Sequence, residues 1–339
     1  VHDLDPAGGF ERFIARIHAV VEQAGCRAYH VFDCLSGLAA DWYSDTMLGC
    51  FFRLTCPFVL QTGSVAYFCV LRRTHSARSL DPIQATAQIV IDVYQHGGEL
   101  YIHPLKVDQR HAPTLHLLHR QRGAAFLPVT ASATVARVLS QAADEVLERG
   151  DARAGVWQRT FSEAEELFAA CRRGQVADSE AGPAFDHLLR MTVAREGPML
   201  ELARRFLTWE DVLGVGRRLI GTGLIGGKSV GMLLARAILR RASPRWQQRL
   251  ERHDSFDLGA AVFYTFLVEN EVWWVRQRQR DPSTVLADAE LARGRILAGE
   301  FPDHIHRELG QVLDYLGQSP FIVRSSSLLE DNFGNAFSG

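Results

Sequence analysis

Hydrophobic positions in the first 130 residues follow two alternating spacings. From Phe10 to Val21 they recur every three or four residues, which is typical of an amphipathic helix, and Gly25 ends this run. The next apolar run, residues 29–32, is short and predicts a strand that ends at Asp33. The pattern then predicts a helix over about 41–59, a buried strand over 65–71, a helix over about 83–94, a strand at 100–102 and closing strands at 115–118 and 126–129. Helices and strands that alternate at this pace favour βαβ units and a mostly parallel sheet.

The second half of the chain has a different pattern of residues. Residues 131–206 carry helical spacing with charged faces and predict a helical connector. Beyond Thr208 the chain is rich in glycine, with helices predicted at 229–241 and about 302–316 and strands at 261–266 and 321–323. We therefore predict an α/β protein with domains at 1–130 and 207–339, joined by the connector.

Composition narrows the class of protein. A length of 339 residues is typical of two or three domains, and 47% hydrophobic with 22% charged residues is typical of folded soluble domains. The net charge of -2 provides no overall positive field, so we expect no nucleic-acid partner. No apolar run reaches the length that spans a bilayer and no leader precedes the first helix, so we expect no membrane association.

The cysteines and the chain ends suggest a cellular setting. The six cysteines form no C-x-x-C pair, and most lie among apolar neighbours, which is typical of free thiols in a reducing cytoplasm. The chain begins with Val1 and stops at Gly339 within a glycine-rich segment. We expect a segment of a longer cytoplasmic protein.

A glycine-rich loop is the first candidate for binding chemistry. Residues 221–227 include four glycines and lead through Lys228 and Ser229 into an apolar helix. Glycines let a backbone approach a phosphate closely, and a helix start favours an anion. Lys106 and Lys228 are the only lysines among 37 basic residues, which favours a role for a compact ammonium group at position 228. The alternative is a plain turn with a solvent-facing lysine.

A P-loop is a second interpretation of the same residues. Its pattern G-x-x-x-x-G-K-[ST] requires the first glycine at position 222, where this chain has Thr222, and Gly221 stands one place too early. The preceding residues 216–220 also make a poor buried strand. A P-loop or RecA-type ATPase therefore remains an alternative.

A second group of polar residues follows the predicted strand 321–323. Arg324 at the end of a buried strand would hold its guanidinium at a sheet edge, where it can bridge phosphate oxygens. Ser325 and the two serines after it can cap a helix or donate hydrogen bonds to an anion. Taken singly, an arginine in this position is more often part of a structural salt bridge, and the serines are more often helix caps.

Together these segments resemble a known family. GGKSVGM at 226–232 is similar to the G-G-K-x-x-x-L segment of the ATP-binding domain of phosphoenolpyruvate synthase and pyruvate phosphate dikinase. VRSSSLLED at 323–331 resembles the family's V-R-S-S-x-x-x-E-D, and AFSG at 336–339 resembles its S-F-A-G. Residues 258–263 stand in the place of its P-P-G-F-V strand, without the proline pair.

The resemblance implies a fold, a ligand and a set of roles. Residues 207–339 would form the N-terminal part of an ATP-grasp-like domain that binds ATP with Mg²⁺. Gly226, Gly227, Lys228 and Ser229 would contact the phosphates, and Arg324, as the catalytic residue, would contact the β/γ region beside Ser325. Backbone donors around Ser338 and Gly339 would close over the triphosphate. The Mg²⁺-binding carboxylates, the phosphorylated histidine and the site for the acceptor, pyruvate, would belong to downstream domains of the same chain.

The first 130 residues resemble part of a RecA-like or KaiC-like ATPase core. In that interpretation Asp33, after the strand 29–32, takes the position of a Walker B aspartate that holds a Mg²⁺-bound water. The alternative is an aspartate that caps the next loop. Overall the sequence predicts the ATP-binding portion of a phosphotransferase, and a non-catalytic ATP-binding regulator is a further alternative.

Overall fold

The computed structural model describes a mixed α/β chain of helices and small sheets. The described residues are 1–71, 74–147, 155–251, 254–279, 281–284 and 286–324. They divide into two compact units. One, here called the sheet unit, consists of residues 11–36 and 51–155, and the other, the glycine-loop unit, consists of residues 1–10, 37–50 and 156–339. Among the described residues, no helix combines the length and the hydropathy needed to cross a bilayer.

The first 147 residues contain five helices and six strands among those described. The helices are α1 (Phe10–Ala24), α2 (Leu35–Asp41), α3 (Asp45–Gln61), α4 (Ala77–Thr86) and α5 (Ser132–Leu147). The strands are β1 (Tyr29–Phe32), β2 (Val65–Phe68), β3 (Ile89–His96), β4 (Glu99–Val107), β5 (His119–Arg122) and β6 (Ala125–Pro128). The helix predicted to end at Gly25 and the strand 29–32 are confirmed, and the helix predicted over 41–59 is confirmed from residue 45 onward as α3, with α2 as a separate helix before it.

The strands of the sheet unit form two sheets of different type. β1 and β2 pair in parallel, and the face of this pair that carries Phe32 and Phe68 packs on Phe51 and Phe52 of α3. β3 to β6 form an antiparallel sheet in sequence order. The predicted mostly parallel sheet is therefore wrong for these four strands, and the RecA-like identity of this region stays a prediction.

The hairpin between β3 and β4 explains that difference. Gly97 and Gly98 both adopt positive φ angles, 59° and 76°, and make the two-residue turn that joins antiparallel strands. A parallel pair would need a crossover of a dozen or more residues. The helix predicted over 83–94 is confirmed for residues 83–86, which lie in α4, and is wrong from residue 89 onward, because pairing with β4 draws residues 89–96 into a strand. Similarly, the strand predicted at 115–118 begins only at His119.

The glycine-loop unit is mainly helical. Its helices after residue 155 are α6 (Val156–Arg172), α7 (Asp178–Thr192), α8 (Pro198–Phe206), α9 (Trp209–Gly216), α10 (Gly227–Ala242), α11 (Pro244–Arg249), α12 (Ala260–Glu269), α13 (Trp273–Arg278), α14 (Ala289–Ala298) and α15 (Asp303–Leu316). Two short strands, β7 (Leu219–Ile220) and β8 (Asp257–Leu258), pair in parallel. The helices predicted at 229–241 and 302–316 are confirmed as parts of α10 and α15.

One core holds the helices around the glycine-rich segment. α6 to α9 and the first turns of α10 share a cluster that includes Leu188, Leu200, Val212, Val230 and Leu234. Most of the described residues in the predicted helical connector are helical, and from α6 onward they pack against the segment that carries the loop. The domain boundaries predicted at 130 and 206 stay predictions.

Two predicted strands of this unit are wrong. Residues 261–266 lie in α12. The prediction failed because a run of mostly apolar residues has no period that separates a buried strand from a buried helix. Residues 321–323 lie outside any strand and are largely exposed, with Ile322 at 85%. A short apolar run becomes a strand only by pairing, and none of the described strands pairs with it.

Candidate functional site

The glycine-rich loop connects β7 to α10. Gly221 and Gly223 adopt φ angles of 76° and 98°, which L-amino acids with a side chain rarely adopt. Space is also limited, since a Cβ atom on Gly221 would lie 2.5 Å from Cγ2 of Val262. The loop thus depends on glycine at these two positions for its path.

The start of α12 holds the loop in place. The amides of Ala261 and Ala260 donate to the carbonyl oxygens of Thr222 and Leu224, at 3.1 and 3.2 Å. A Cβ atom on Gly259 would lie 2.2 Å from the oxygen of Thr222, so the backbones touch only because residue 259 is glycine. The first amides of α12 therefore donate to the loop backbone.

The loop also rests on α7. The amide of Ile225 donates to the carbonyl oxygen of Thr192, the last residue of that helix, at 2.9 Å. Asp186 on α7 accepts from Arg204 of α8 at 2.5 Å and from Arg190 at 2.9 Å, and these guanidinium groups lower the pKa of its carboxyl to about 2. The support of the loop is therefore itself tied to a neighbouring helix.

The predicted phosphate-binding residues lie together at the first turn of α10. Gly226 is the N-cap, with extended backbone angles and no side-chain cap, and Gly227, Lys228 and Ser229 are the first three residues of the helix. The first amides of an α-helix have no acceptor within the helix, and the helix dipole places partial positive charge there. With the Lys228 ammonium this turn can attract an anion.

A carboxylate that the sequence interpretation overlooked contacts this turn. The Ser229 hydroxyl donates to Oδ1 of Asp257 at 2.6 Å. Asp257 opens β8, which runs parallel to β7, so the carboxylate comes from the strand beside the one that leads into the loop. The signal was present in the sequence as one acidic residue between Phe256 and Leu258.

A second overlooked contact comes from the N-terminal part of the same unit. Oγ of Ser44 lies 2.6 Å from Oγ1 of Thr222, and these residues are 178 positions apart. Ser44 is 1% exposed. No local pattern in the sequence could have indicated this pair.

The remaining predicted site residues lie elsewhere or outside the described chain. Arg324 is exposed and follows the unpaired residues 321–323, and within the part of the chain that the structure describes it makes no hydrogen bond or ion pair. Ser325, Ser338 and Gly339 lie outside the described residues. Asp33 directly follows β1 in the sheet unit and is exposed. No group of three His, Cys, Asp or Glu side chains suited to a metal occurs among the described residues.

Comparison with known proteins assigns a family likeness to part of the chain. Residues 222–339 match the family model described as pyruvate phosphate dikinase, AMP/ATP-binding domain. No curated protein and no solved structure matches the chain. The match begins within the loop, and it supports an ATP-binding role of the phosphotransferase kind for this segment.

Proposed function

We propose that this chain carries the ATP-binding portion of a phosphotransferase similar to phosphoenolpyruvate synthase and pyruvate phosphate dikinase. The observation that carries the proposal is the position of Gly226, Gly227, Lys228 and Ser229 at the start of α10, inside the segment that matches the AMP/ATP-binding domain. Loop glycines, helix amides and one ammonium group are a set of donors suited to a triphosphate.

In this proposal each residue has a distinct role. The amides at the start of α10 and the Lys228 ammonium hold the phosphates, and Arg324, with Ser325, approaches the β/γ region when ATP is bound. Ser338 and Gly339 close over the triphosphate through backbone donors. Pyruvate, or another small phosphate acceptor, would bind to further domains of the same chain.

Mg²⁺ would accompany the ATP and neutralise part of the charge on its phosphates. The described residues offer no cluster of three metal-binding side chains, so they do not form a complete site for the ion.

Substitution of Lys228 tests the proposal. Charge-assisted hydrogen bonds contribute about 1.5 to 3 kcal/mol, so Lys228→Ala should weaken ATP binding roughly 10- to 150-fold. Lys106→Ala is the matched control, because Lys106 is the other lysine and its ammonium donates to the carbonyl oxygens of Gln84 and Ala85 in the sheet unit. Titration calorimetry with ATP on both variants measures the effect, and unchanged affinity in Lys228→Ala would reject the proposed site.

One observation favours the second candidate, a P-loop-type ATPase. In such enzymes the Ser or Thr after the lysine and an aspartate hold Mg²⁺ together. Ser229 and Asp257 are already joined by a 2.6 Å hydrogen bond, and Asp257 lies on a strand parallel to β7. A carboxylate and a hydroxyl are oxygen donors that Mg²⁺ accepts beside phosphate oxygens and waters.

The dependence of ATP binding on Mg²⁺ separates the two candidates. For the phosphotransferase, Asp257→Asn should keep the wild-type gain in ATP affinity that Mg²⁺ brings; for the P-loop ATPase, it should lose most of that gain. Asp254→Asn is the control, since Asp254 lies three residues before β8 and accepts from Arg218 at 2.8 Å. Calorimetric titrations with ATP in the presence of Mg²⁺ and of a chelator provide the comparison.

A further inference from the structure

Thr222 holds an unusual position in the glycine-rich loop. It lies between the two glycines with positive φ angles, and its carbonyl oxygen is bound by the start of α12. Its backbone is therefore constrained on both sides, and its half-buried side chain points to the hydroxyl of Ser44. With the oxygen held in this way, what is left to decide is the direction in which the hydroxyl proton points.

The surroundings of Ser44 determine that direction. Ser44 precedes α3, and its Oγ accepts from the amide of Met47 at 3.4 Å, which is the contact of a helix N-cap. A serine hydroxyl has a single proton. Since Ser44 is 1% exposed, water does not take this proton, and Oγ1 of Thr222 at 2.6 Å is the acceptor within reach. Either hydroxyl could donate in this pair, and donation from Ser44 to Thr222 is the direction in which the buried Ser44 proton has an acceptor.

The proton of Thr222 is consequently left for another partner. In that direction, a chain of donors runs from the Met47 amide through the Ser44 hydroxyl to the Thr222 hydroxyl. The last member lies in the loop that leads into the first turn of α10. A donor that is oriented in advance loses little freedom when it binds an anion.

We propose that the Thr222 hydroxyl donates a hydrogen bond to a phosphate group of the bound nucleotide, and that Ser44 is a positioning residue that orients it. This inference rests on the proposed function. It extends the site to residue 44, which lies far outside the matched segment 222–339. The chemistry required of the ligand is that of a phosphate oxygen that accepts one neutral donor.

Four variants of the full chain test this inference by ATP calorimetry. Thr222→Val should lower ATP affinity about 10-fold or more, because a hydrogen bond to a charged group is lost. Thr222→Ser, which keeps the hydroxyl, should remain within about 3-fold of the wild type. Ser44→Ala should lower affinity roughly 3- to 10-fold, and combining it with Thr222→Val should cause no further loss, because both changes break one chain of donors.

The control is another Thr→Val substitution, at a threonine outside the glycine-rich loop. Thr265 on α12 is 7% exposed and has its hydroxyl 3.6 Å from the Cys50 sulfur, so Thr265→Val removes a buried hydroxyl without touching the chain of donors. It should change the melting temperature without ATP but leave ATP affinity unchanged. Wild-type affinity in Thr222→Val, or an equal loss in Thr222→Ser and Thr222→Val, would overturn the inference. If Lys228→Ala still weakens binding in that case, the proposed function stands; a wild-type chain without ATP binding would overturn both.

Discussion

Replacing Gly259 by alanine should disrupt the glycine-rich loop from the outside. Gly259 has extended backbone angles that alanine adopts without strain, φ -70° and ψ 154°, so the effect comes from space alone. The added Cβ atom would lie 2.2 Å from the carbonyl oxygen and 2.7 Å from the carbonyl carbon of Thr222. Both are backbone atoms, so no side-chain rotation relieves the contact.

The size of the effect follows from this geometry. The loop carbonyl must move by about 1 Å, and overpacking of this kind costs roughly 1 to 3 kcal/mol. The same displacement weakens the hydrogen bond from the Ala261 amide to the Thr222 oxygen, whose contribution is about 1 kcal/mol. We expect Gly259→Ala to lower the free energy of unfolding by about 2 to 4 kcal/mol and to weaken ATP binding, because the shifted loop leads directly into α10.

Gly294→Ala is the matched control for this substitution. Gly294 is an exposed position within α14, and a Cβ atom there would meet nothing within 4 Å. Alanine in a helix interior should instead stabilise the protein by about 0.5 to 1 kcal/mol. Urea unfolding and ATP calorimetry on both variants make the comparison. If Gly259→Ala unfolds at the wild-type urea concentration and binds ATP as the wild type does, the close backbone contact is not a constraint on the loop.

Two further predictions concern Arg324 and His18. Arg324→Ala should lower ATP affinity roughly 10- to 150-fold, and Arg324→Lys should recover part of this loss. Because the described chain gives Arg324 no ion pair, neither variant should have a lower Tm than the wild type without ATP. If ATP raises the Tm of both variants as much as that of the wild type, Arg324 does not belong to the site. Burial lowers the pKa of His18 to about 4, so the stability linked to its neutral form is present above about pH 6.5 and is lost as pH falls toward 4. Between pH 7 and pH 5, urea unfolding should show that His18 lowers the free energy of unfolding by about 2 kcal/mol, and this loss should be absent in His18→Gln. Equal pH dependence of stability in both proteins would contradict the lowered pKa of His18.

Local signals in the sequence were sufficient for several elements. Gly25 ends α1, and the glycine pair before Lys228 marks the start of α10, because these features act on the backbone within one or two turns. The candidate residues at the first turn of α10 follow from the same signals. Helix periodicity likewise located α15, whose apolar face covers a small core at Ile220 and Val262.

Local sequence patterns could not predict the elements that depend on distant partners. Residues 261–266 are mostly apolar, so their pattern fits a helix and a strand alike, and Ala261, Val262 and Thr265 are buried within α12. The run 89–96 became a strand because β4 pairs with it, and the run 321–323 did not become one because none of the described strands does. Strand formation requires hydrogen bonds to a second segment, so a local pattern alone cannot decide it.

Among the side chains around the loop, some could be identified from the local sequence and others are brought there only by the tertiary structure. Lys228 and Ser229 could be selected from the sequence because they adjoin the glycines. Asp257 reaches Ser229 only through the parallel pairing of β7 and β8, and Ser44 reaches Thr222 across 178 residues. Hydrogen bonds form between atoms within about 3 Å of each other, whatever their separation along the chain. The sequence by itself therefore located the glycine-rich loop and the start of α10, where phosphate binding is proposed, and the tertiary structure decided which carboxylate and which hydroxyl groups surround that position.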